Sequence, residues 1–259
     1  MIQYNLLSPY KDLTHFCTTR EGGVSVGNYA SMNLSPFSGD EPAHVAENKR
    51  RLCETLGLSP ARLVIPFQTH GAEVREISET YFQLPEAEQA AYLHGVDAMV
   101  SNTPGVCLGI TTADCVPLLF FDPVQKAVGA AHAGWRGTVA SIARNTMEAM
   151  TQLYGSRPED MLVTIGPSIS AAVYEVGTEV LEQFREAGFD LADMHEMRNG
   201  SLFLDLWAAN RQVLTRAGIL PEHIETANIC TYTHHERFFS ARRLGIKSGR
   251  LLSGVMVNP

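Results

Sequence analysis

The chain is a succession of short apolar runs separated by polar turns, and this pattern predicts more strands than helices. Between positions 96 and 137, four runs with β-branched residues and turn punctuation follow one another, which is typical of consecutive strands. They are VDAMVS, VCLGITTADC, VPLLFF and AVGAAHAGWRG. Further strands are predicted at 15–23, 63–71 and 161–169, and near ETANIC (225–230), RFFSAR (237–242) and GVMVN (254–258).

Helices are predicted where apolar residues recur every three or four positions. Residues 41–58 have Pro42 in the first turn and Gly57 at the C-terminal cap. The clearest helix spans 138–155 and is closed by Gly155. Its apolar face consists of Val139, Ile142, Ala143, Met147 and Met150. Two more helices are predicted at about 177–188 and 203–217.

The order of these elements bears on the fold class. Strands outnumber helices and arrive in runs, which favours an α+β architecture with mixed β-sheets over a doubly wound parallel sheet. The polar segment 76–94 is expected to be a surface excursion, with a short helix at most, and not a domain boundary. The sequence therefore predicts a single domain over residues 1–259.

Composition narrows the class of protein. The net charge of −8 disfavours binding to nucleic acid, where Lys and Arg supply the affinity. The longest uncharged apolar run, 116–121, is too short to span a membrane, which needs about 20 residues. The first residues, MIQYNLLSPYKDL, lack the pattern of a secretory signal, so we expect a cytoplasmic protein, for which a monomer is plausible. Free thiols are expected at the widely spaced Cys17, Cys53, Cys107, Cys115 and Cys230.

Three candidate metal ligands share one local context. His70, Cys115 and His132 each lie at the end of an apolar run beside small residues. Catalytic zinc takes three protein ligands of these types and leaves a position for water, which then ionises near neutral pH. The separations of 45 and 17 residues are unlike the compact pairs of structural zinc motifs. Taken one at a time, each residue is more often a hydrogen-bonded core histidine or an inert packed cysteine than a metal ligand.

Seven segments, in this order along the chain, resemble the YfiH family, whose members are also described as multicopper polyphenol oxidase-like or purine nucleoside phosphorylase-like. They are TTREGGVSVGNYASMNLSPFSGDEP, ENKRRL, FQTHGAEV, TTADCVPLLFFDP, GAAHAGWRGT, IGPSISAAVYEVG and ICTYTHHERFFSARRLGIKSGR. The resemblance implies a single α+β domain with a layered fold, like that of the cytotoxic necrotizing factors. It also implies that His70, Cys115 and His132 bind zinc, with copper as a possible alternative.

The same resemblance implies an activity. It points to phosphorolysis of adenosine, inosine, guanosine and methylthioadenosine, together with hydrolytic deamination of adenosine, so that the partners are purine nucleosides and inorganic phosphate. The family usually has an aromatic and an acidic residue around SYRRDG, where this chain has Ala241 and Leu244 in SARRLG. A substrate contact made through those two positions is therefore in doubt.

Phosphate binding calls for arginine, whose guanidinium group forms paired hydrogen bonds with phosphate. Among the cations in the matching motifs, Arg136 and Arg243 are favoured as catalytic residues. Arg136 precedes the predicted helix 138–155, whose N-terminus would also favour an anion. Substrate binding is assigned to Arg20, Lys49 and Arg242. The alternative for each of the five cations is a solvated surface charge, and this alternative is favoured for at least two of them.

Binding and deamination of the purine require an acid–base group, hydrogen-bonding groups and an aromatic ring. Asp114 is the candidate acid–base residue, and the alternative is a turn-capping role. Asn33 and Ser240 are assigned to hydrogen bonds with the base. Phe239 is assigned to stacking on the base, and the alternative is a core position.

Three other functions remain open. A two-histidine, one-cysteine site can hold copper, as in a laccase-like polyphenol oxidase, but the chain has nine histidines and no His-x-His pair. Cys115 can instead be the nucleophile of a cysteine hydrolase that cleaves amide bonds in peptidoglycan precursors. A zinc-stabilised binding protein without catalysis is the third, but a structural site needs a fourth ligand and none is convincing.

Overall fold

Two β-sheets lie face to face at the centre of the protein, and the computed structural model describes residues 1–259. The strands are β1 (Leu13–Cys17), β2 (Leu63–Val64), β3 (Val74–Glu76), β4 (Ala98–Ser101), β5 (Cys107–Thr112), β6 (Val116–Asp122), β7 (Ala127–Ala133), β8 (Leu162–Ile165), β9 (Glu175–Val176), β10 (His195–Arg198), β11 (Ser201–Leu204), β12 (Ile224–Thr226) and β13 (Leu251–Val257). The helices are α1 (Pro42–Leu56), α2 (Glu79–Phe82), α3 (Glu86–Tyr92), α4 (Trp135–Val139), α5 (Ile142–Tyr154), α6 (Thr178–Glu186), α7 (Leu206–Arg216) and α8 (Ala241–Leu244).

Both large sheets are mixed. The six-stranded sheet has the order β12-β8-β6-β7-β4-β3, and the four-stranded sheet has the order β1-β13-β5-β2. The pairs β12–β8, β3–β4 and β2–β5 are parallel, and the other pairs of these sheets are antiparallel. A small third sheet has the order β10-β11-β9. This arrangement confirms the predicted α+β class with mixed sheets.

The core is divided by the sheets into layers. Along β6, Leu118 and Phe120 pack toward α5, α6 and α7, whereas Leu119 and Phe121 pack toward the four-stranded sheet. This alternation follows from the two-residue period of a strand that is buried on both faces. The far side of the four-stranded sheet is covered by α1 through Leu52 and other apolar residues. The order of layers is therefore helices, sheet, sheet, helix.

The predicted helix at 138–155 is two helices. Ser141 has φ = 60°, in the left-handed region, and this residue separates α4 from α5. The apolar periodicity continues across the break because Ile142 and Met147 still pack on the six-stranded sheet. Periodicity reports which positions are buried, so it did not reveal the break in the backbone.

Two predicted strands and one predicted helix also need correction. The segment 237–242 contains no strand, and its last two residues begin α8. The segment 63–71 is strand only at Leu63–Val64, and it then follows an irregular path in which His70 has φ = 63°. The predicted helix at 203–217 begins three residues later, because its first two residues end β11 of a hairpin that the sequence analysis did not predict.

The other predicted elements lie close to their expected positions. The helix predicted at 41–58 is α1, with Gly57 in the left-handed conformation at its C-terminus. The polar segment 76–94 contains the short helices α2 and α3. No helix of the protein has both the length and the apolar character needed to cross a membrane.

Candidate metal centre and main cavity

A cavity of about 580 Å³, called here the main cavity, lies where β5 ends and β6 begins. Its walls come from the segments 35–38, 67–70, 111–115 and 241–250, with single residues from other elements. His70, Cys115 and His132 all line this cavity, although they are far apart in the sequence. The fold therefore brings the three candidate ligands to one wall.

The sheet register explains why the ligands meet. Cys115 directly precedes β6, and β6 pairs with β7 so that Val116 faces Ala133 and Pro117 faces His132. His70 reaches the same point from the irregular segment after β2. The candidate ligand atoms of the three side chains all lie within 4.8 Å of one another. His132 is buried, Cys115 is partly exposed and His70 is exposed toward the opening.

Asp97 holds both histidines in place. Its fully buried carboxylate accepts hydrogen bonds from the backbone N–H groups of Thr69 (3.1 Å), His70 (3.0 Å) and Gly71 (2.7 Å). The same carboxylate is 2.7 Å from Nδ1 of His132. These three backbone contacts fix the irregular segment that carries His70. The contact with Nδ1 leaves Nε2 of His132 free to face Cys115, which is the arrangement typical of metal-binding histidines.

The charges around Cys115 favour its deprotonated form. Burial alone raises the pKa of this thiol, but the charge of a protonated His132 and hydrogen bonds to His132 and His70 outweigh it and lower the pKa. Burial alone lowers the pKa of His132, but the Cys115 thiolate and the Asp97 carboxylate outweigh it and raise the pKa. A thiolate is the form of cysteine that binds metals, so this environment favours a metal ligand.

The residues present fit a metal ion of zinc type. Two ligands of a tetrahedral zinc ion lie about 3.3–3.8 Å apart, a spacing that small side-chain shifts can reach from the observed positions. A Cβ atom at Gly134 would lie 3.0 Å from Sγ of Cys115 and 3.2 Å from Cδ2 of His70, so a larger residue there would crowd both ligands. Three protein ligands beside a cavity leave room for a further ligand from solvent or substrate.

Asp114 lines the main cavity, but its carboxylate is committed to structural contacts. One oxygen accepts a hydrogen bond from Oγ1 of Thr231 at 2.7 Å, and the other accepts one from the backbone N–H of Arg242 at 2.7 Å. Asp114 also has φ = 85°. These contacts tie the turn before Cys115 to the segment 231–242 and give Asp114 an anchoring role, and its acid–base role stays a prediction.

The two arginines favoured from the sequence do not line the main cavity. The guanidinium group of Arg136 lies over the ring of Trp135 at 4.3 Å, on a helix of five residues. The guanidinium group of Arg243 is exposed and contacts the Tyr232 hydroxyl at 3.3 Å. Neither arginine therefore forms part of the cavity wall, and their catalytic roles stay predictions.

Arg242 and Arg250 are the cations that line the main cavity. Arg242 donates a hydrogen bond to the backbone carbonyl of Glu175 and lies over the ring of Tyr174. The guanidinium group of Arg250 donates to the backbone carbonyls of Ser248, Gly249 and Ile246 and to the Ser248 hydroxyl, and it has no acidic partner. Arg250 was not singled out from the sequence, although it is the last residue of the segment ICTYTHHERFFSARRLGIKSGR.

Three residues that were assigned to substrate binding instead stabilise the neighbouring loops. Phe239 is completely buried, with Arg20 over its ring at 4.9 Å, so it presents no face to a base. Arg20 donates hydrogen bonds to the carbonyls of Ala30 and His235. Ser240 is also buried, and its hydroxyl caps α8 by accepting from the backbone N–H of Arg243.

Asn33 and Lys49 do not line the main cavity. Asn33 is completely buried and donates to Ser38 and Asp40, while its oxygen accepts from the backbone N–H of Arg250 at 2.8 Å. It therefore positions the cavity wall without contacting a ligand. Lys49 lines a different cavity on the other side of that wall.

Gln68 was also missed in the sequence. Its side chain pairs with the backbone of Thr111 in both directions, at 2.9 Å each way, and so ties the segment carrying His70 to the end of β5. The signal for this contact is weak, because a glutamine before a loop has many possible partners.

The fold and the site together define a layered α+β, metal-binding protein with a two-histidine, one-cysteine group in an arginine-containing cavity. The family described as multi-copper polyphenol oxidoreductase laccase matches residues 14–258, and the chain belongs to this family. The resemblance that was inferred from the sequence motifs is thereby confirmed.

Relatives and solved structures support this assignment. The chain is 48% identical, over 100% of its length and 96% of the relative, to a purine nucleoside phosphorylase of Bacteroides thetaiotaomicron. It is 42% identical, over 93% of its length and 92% of the relative, to adenosine deaminase RL5 of an unknown prokaryotic organism. The crystal structure of YlmD from Geobacillus stearothermophilus, 34% identical, matches with a TM-score of 0.90 and covers 97% of this chain and 94% of that one.

Proposed function

We propose that the protein is a zinc-dependent purine nucleoside phosphorylase that also deaminates adenosine. The observation that carries this proposal is the meeting of two imidazoles, one thiol and two guanidinium groups in one cavity. The similarity to a phosphorylase and to an adenosine deaminase, each over more than nine tenths of the chain, supports the same two activities. We assign the metal to His70, Cys115 and His132.

In phosphorolysis, an oxygen of inorganic phosphate forms a bond to C1′ of the ribose while the bond from C1′ to the purine nitrogen breaks. The purine leaves with the electron pair and takes up a proton, and ribose 1-phosphate is formed. Arg250 and Arg242 are suited to hold the phosphate, because both line the cavity and their guanidinium groups contact carbonyl and hydroxyl oxygens but no carboxylate. Phe37 and Tyr174 offer aromatic surface on the same cavity for the apolar faces of the nucleoside.

In deamination, water adds to C6 of adenosine and ammonia leaves, which gives inosine. A zinc ion bound to the three ligands would supply Lewis acidity and activate water near neutral pH. The residues of the chain hold this centre: Asp97 fixes the histidines, and Gln68 fixes the segment that carries His70.

Incubation of the metal-loaded protein with adenosine, with and without phosphate, tests the proposal. Ribose 1-phosphate and adenine are expected only when phosphate is present, and inosine is expected in both samples. The products are separated by chromatography, and metal content is measured in protein purified without added metal. Absence of any product from adenosine, inosine, guanosine and methylthioadenosine by fully metallated protein would contradict the proposed function.

Substitutions of Arg250 and Arg243 test which arginine binds phosphate. The cavity lining favours Arg250, whereas the sequence favoured Arg243. Arg250→Gln is expected to raise KM for phosphate about ten- to a hundredfold, because it removes charge-assisted hydrogen bonds to the anion. Arg243→Gln is expected to change KM for phosphate less than about threefold, since Arg243 is exposed outside the cavity. Steady-state kinetics at varied phosphate measures both values. A larger loss for Arg243→Gln would restore the assignment made from the sequence.

A thiol nucleophile is the second candidate function, and the low pKa of Cys115 beside His132 favours it. A metal-bound thiolate cannot attack an amide, so the two functions exclude each other in one molecule. Full activity of metal-free protein, followed by rapid loss with iodoacetamide, would support a cysteine hydrolase acting on peptidoglycan precursors. Loss of activity on chelation and recovery with zinc is expected instead.

The laccase-like alternative fits the residues less well. The protein contains one group of three side chains that can hold a metal, whereas a multicopper oxidase needs a cluster of many histidines. Stoichiometric copper with an intense thiolate-to-copper absorption band in the purified protein would nevertheless overturn the assignment of zinc. For the compartment and assembly we propose the cytoplasm and a monomer, in keeping with five cysteines that form no disulfide.

A further inference from the structure

A second cavity, of about 750 Å³, lies on the opposite side of one wall of the main cavity. Its surface is mostly apolar and is formed by α1, the segment 60–65 and the helices α2 and α3. The apolar lining includes Leu34, Val45, Leu63, Ile65, Tyr81 and Phe82. The volume is within the range of cavities that hold small ligands.

Two segments separate this second cavity from the main cavity. Along 34–38, Leu34 and Pro36 line the second cavity, whereas Ser35, Phe37 and Ser38 line the main cavity. Along 63–68, the first three residues line the second cavity, and Phe67 and Gln68 line the main cavity. The two sites are therefore distinct but share a wall that is one chain thick.

Lys49 is the distinctive polar group of the second cavity. It extends from α1 and is half-buried, and its ammonium group makes no hydrogen bond and no ion pair within the protein. The ionisable side chains that influence it are Cys53 and Cys107, and burial raises the pKa of both thiols, so they stay neutral. An ammonium group in an apolar cavity ordinarily has an anionic partner, because taking it out of water is unfavourable.

The other charged groups of the second cavity do not supply that partner. Arg62 is paired with Glu79 at 2.9 Å and lies over the ring of Phe82. Glu86 is exposed at the first turn of α3 and makes no ion pair with Lys49. Lys49 is therefore the one positive charge of this mostly apolar lining that has no ion-pair partner.

We propose that the second cavity binds an apolar monocarboxylate, with its carboxylate on Lys49 and its hydrocarbon part against the apolar walls. One ammonium group matches one negative charge, whereas a phosphate dianion would require further donors, and those of the lining, Arg62 and Gln89, are engaged with Glu79 and with the Leu84 carbonyl. The apolar lining supplies the remaining affinity through burial of hydrocarbon. This site is independent of the metal ligands and of the proposed nucleoside activity.

Isothermal titration with octanoate, below its micellar concentration, tests the proposal on the full chain. Saturable one-to-one binding is expected, and 1-octanol, which has the same chain without the charge, is expected to bind more weakly. Lys49→Met is expected to lower octanoate affinity about ten- to a hundredfold and to leave 1-octanol binding unchanged, because only the charge-assisted contact is lost. Lys11→Met, at an exposed lysine outside both cavities, is the matched control and is expected to bind octanoate like the unaltered protein.

A second variant keeps the test decisive if the Lys49→Met protein fails to fold. Ala46 lies on the exposed side of α1 and lines the second cavity, so Ala46→Trp is expected to fill the cavity and abolish octanoate binding with little effect on melting temperature. Equal octanoate affinity in the unaltered protein, Lys49→Met and Ala46→Trp would overturn the proposal. So would the absence of saturable binding, or burial of the cavity in a dimer detected by sedimentation.

Discussion

Cys115→Ser is expected to remove the metal and to lower nucleoside turnover at least about a thousandfold. A Lewis acid contributes several kcal/mol of transition-state stabilisation, and each factor of ten in rate corresponds to about 1.4 kcal/mol. Its loss is therefore expected to lower turnover by about this factor. A serine hydroxyl stays protonated where the Cys115 thiol ionises, so the anionic ligand between His70 and His132 is lost. Metal content by mass spectrometry and product formation from adenosine are measured on the same preparation.

Cys230→Ser is the control for this substitution. Cys230 is also a free cysteine with a lowered pKa, but it contacts Ser170 and lies outside the candidate metal group. This variant is expected to keep both the metal and the turnover. Stoichiometric metal and full turnover in Cys115→Ser would show that the thiol is neither ligand nor nucleophile, and the proposed centre would be wrong.

Asp97→Asn is expected to weaken zinc binding about ten- to a hundredfold, which is the usual effect of losing a group that orients metal ligands. Both oxygens of Asp97 accept hydrogen bonds, one from His70 and His132 and the other from Thr69 and Gly71. In either orientation of the asparagine amide, its NH₂ group would face two of the N–H donors that now bind an oxygen of Asp97. The variant therefore lengthens the contacts that fix both histidines, although its size is unchanged.

Zinc affinity is measured by competition with a chromophoric chelator, and Asp122→Asn is the matched control. Asp122 is a second fully buried carboxylate, and it accepts from the backbone N–H groups of Val124 and Gln125 at the far end of β6 from Cys115. Asp122→Asn is expected to lower the melting temperature and leave zinc affinity unchanged. If both variants lose stability equally and neither loses zinc affinity, Asp97 does not position the ligands.

The elements that the sequence predicted well are those whose burial is regular. β6 is apolar on both faces, and α1 begins at Pro42 and ends beside Gly57, so each has a local signal for its type or its ends. The break at Ser141 and the irregular path around His70 depend on backbone conformations that no apolar pattern records. The irregular path around His70 is held in place by contacts from another part of the fold, namely those of Asp97.

The residues of the site likewise divide into those that the sequence could predict and those that it could not. Spacing alone left the three ligands open, and the ordered motifs of the family singled them out before the β6–β7 register placed two of them side by side. The sequence analysis favoured Arg136 and Arg243, but the sequence does not record the direction of a side chain, which depends on the whole fold. Arg243 and Arg250 lie in one motif, yet only Arg250 lines the main cavity. Phe239 was assigned to a ligand for its chemistry, but its burial beneath Arg20 gives it a packing role.

The wall that is one chain thick between the two cavities also has a consequence for how such a protein can diversify. A larger side chain at Pro36 or Ile65 would displace the backbone that presents Phe37 or Phe67 to the opposite side. Substrate preference can therefore drift through substitutions at positions that never touch substrate. Directed evolution of nucleoside selectivity should accordingly randomise the apolar side of this partition as well as the polar one.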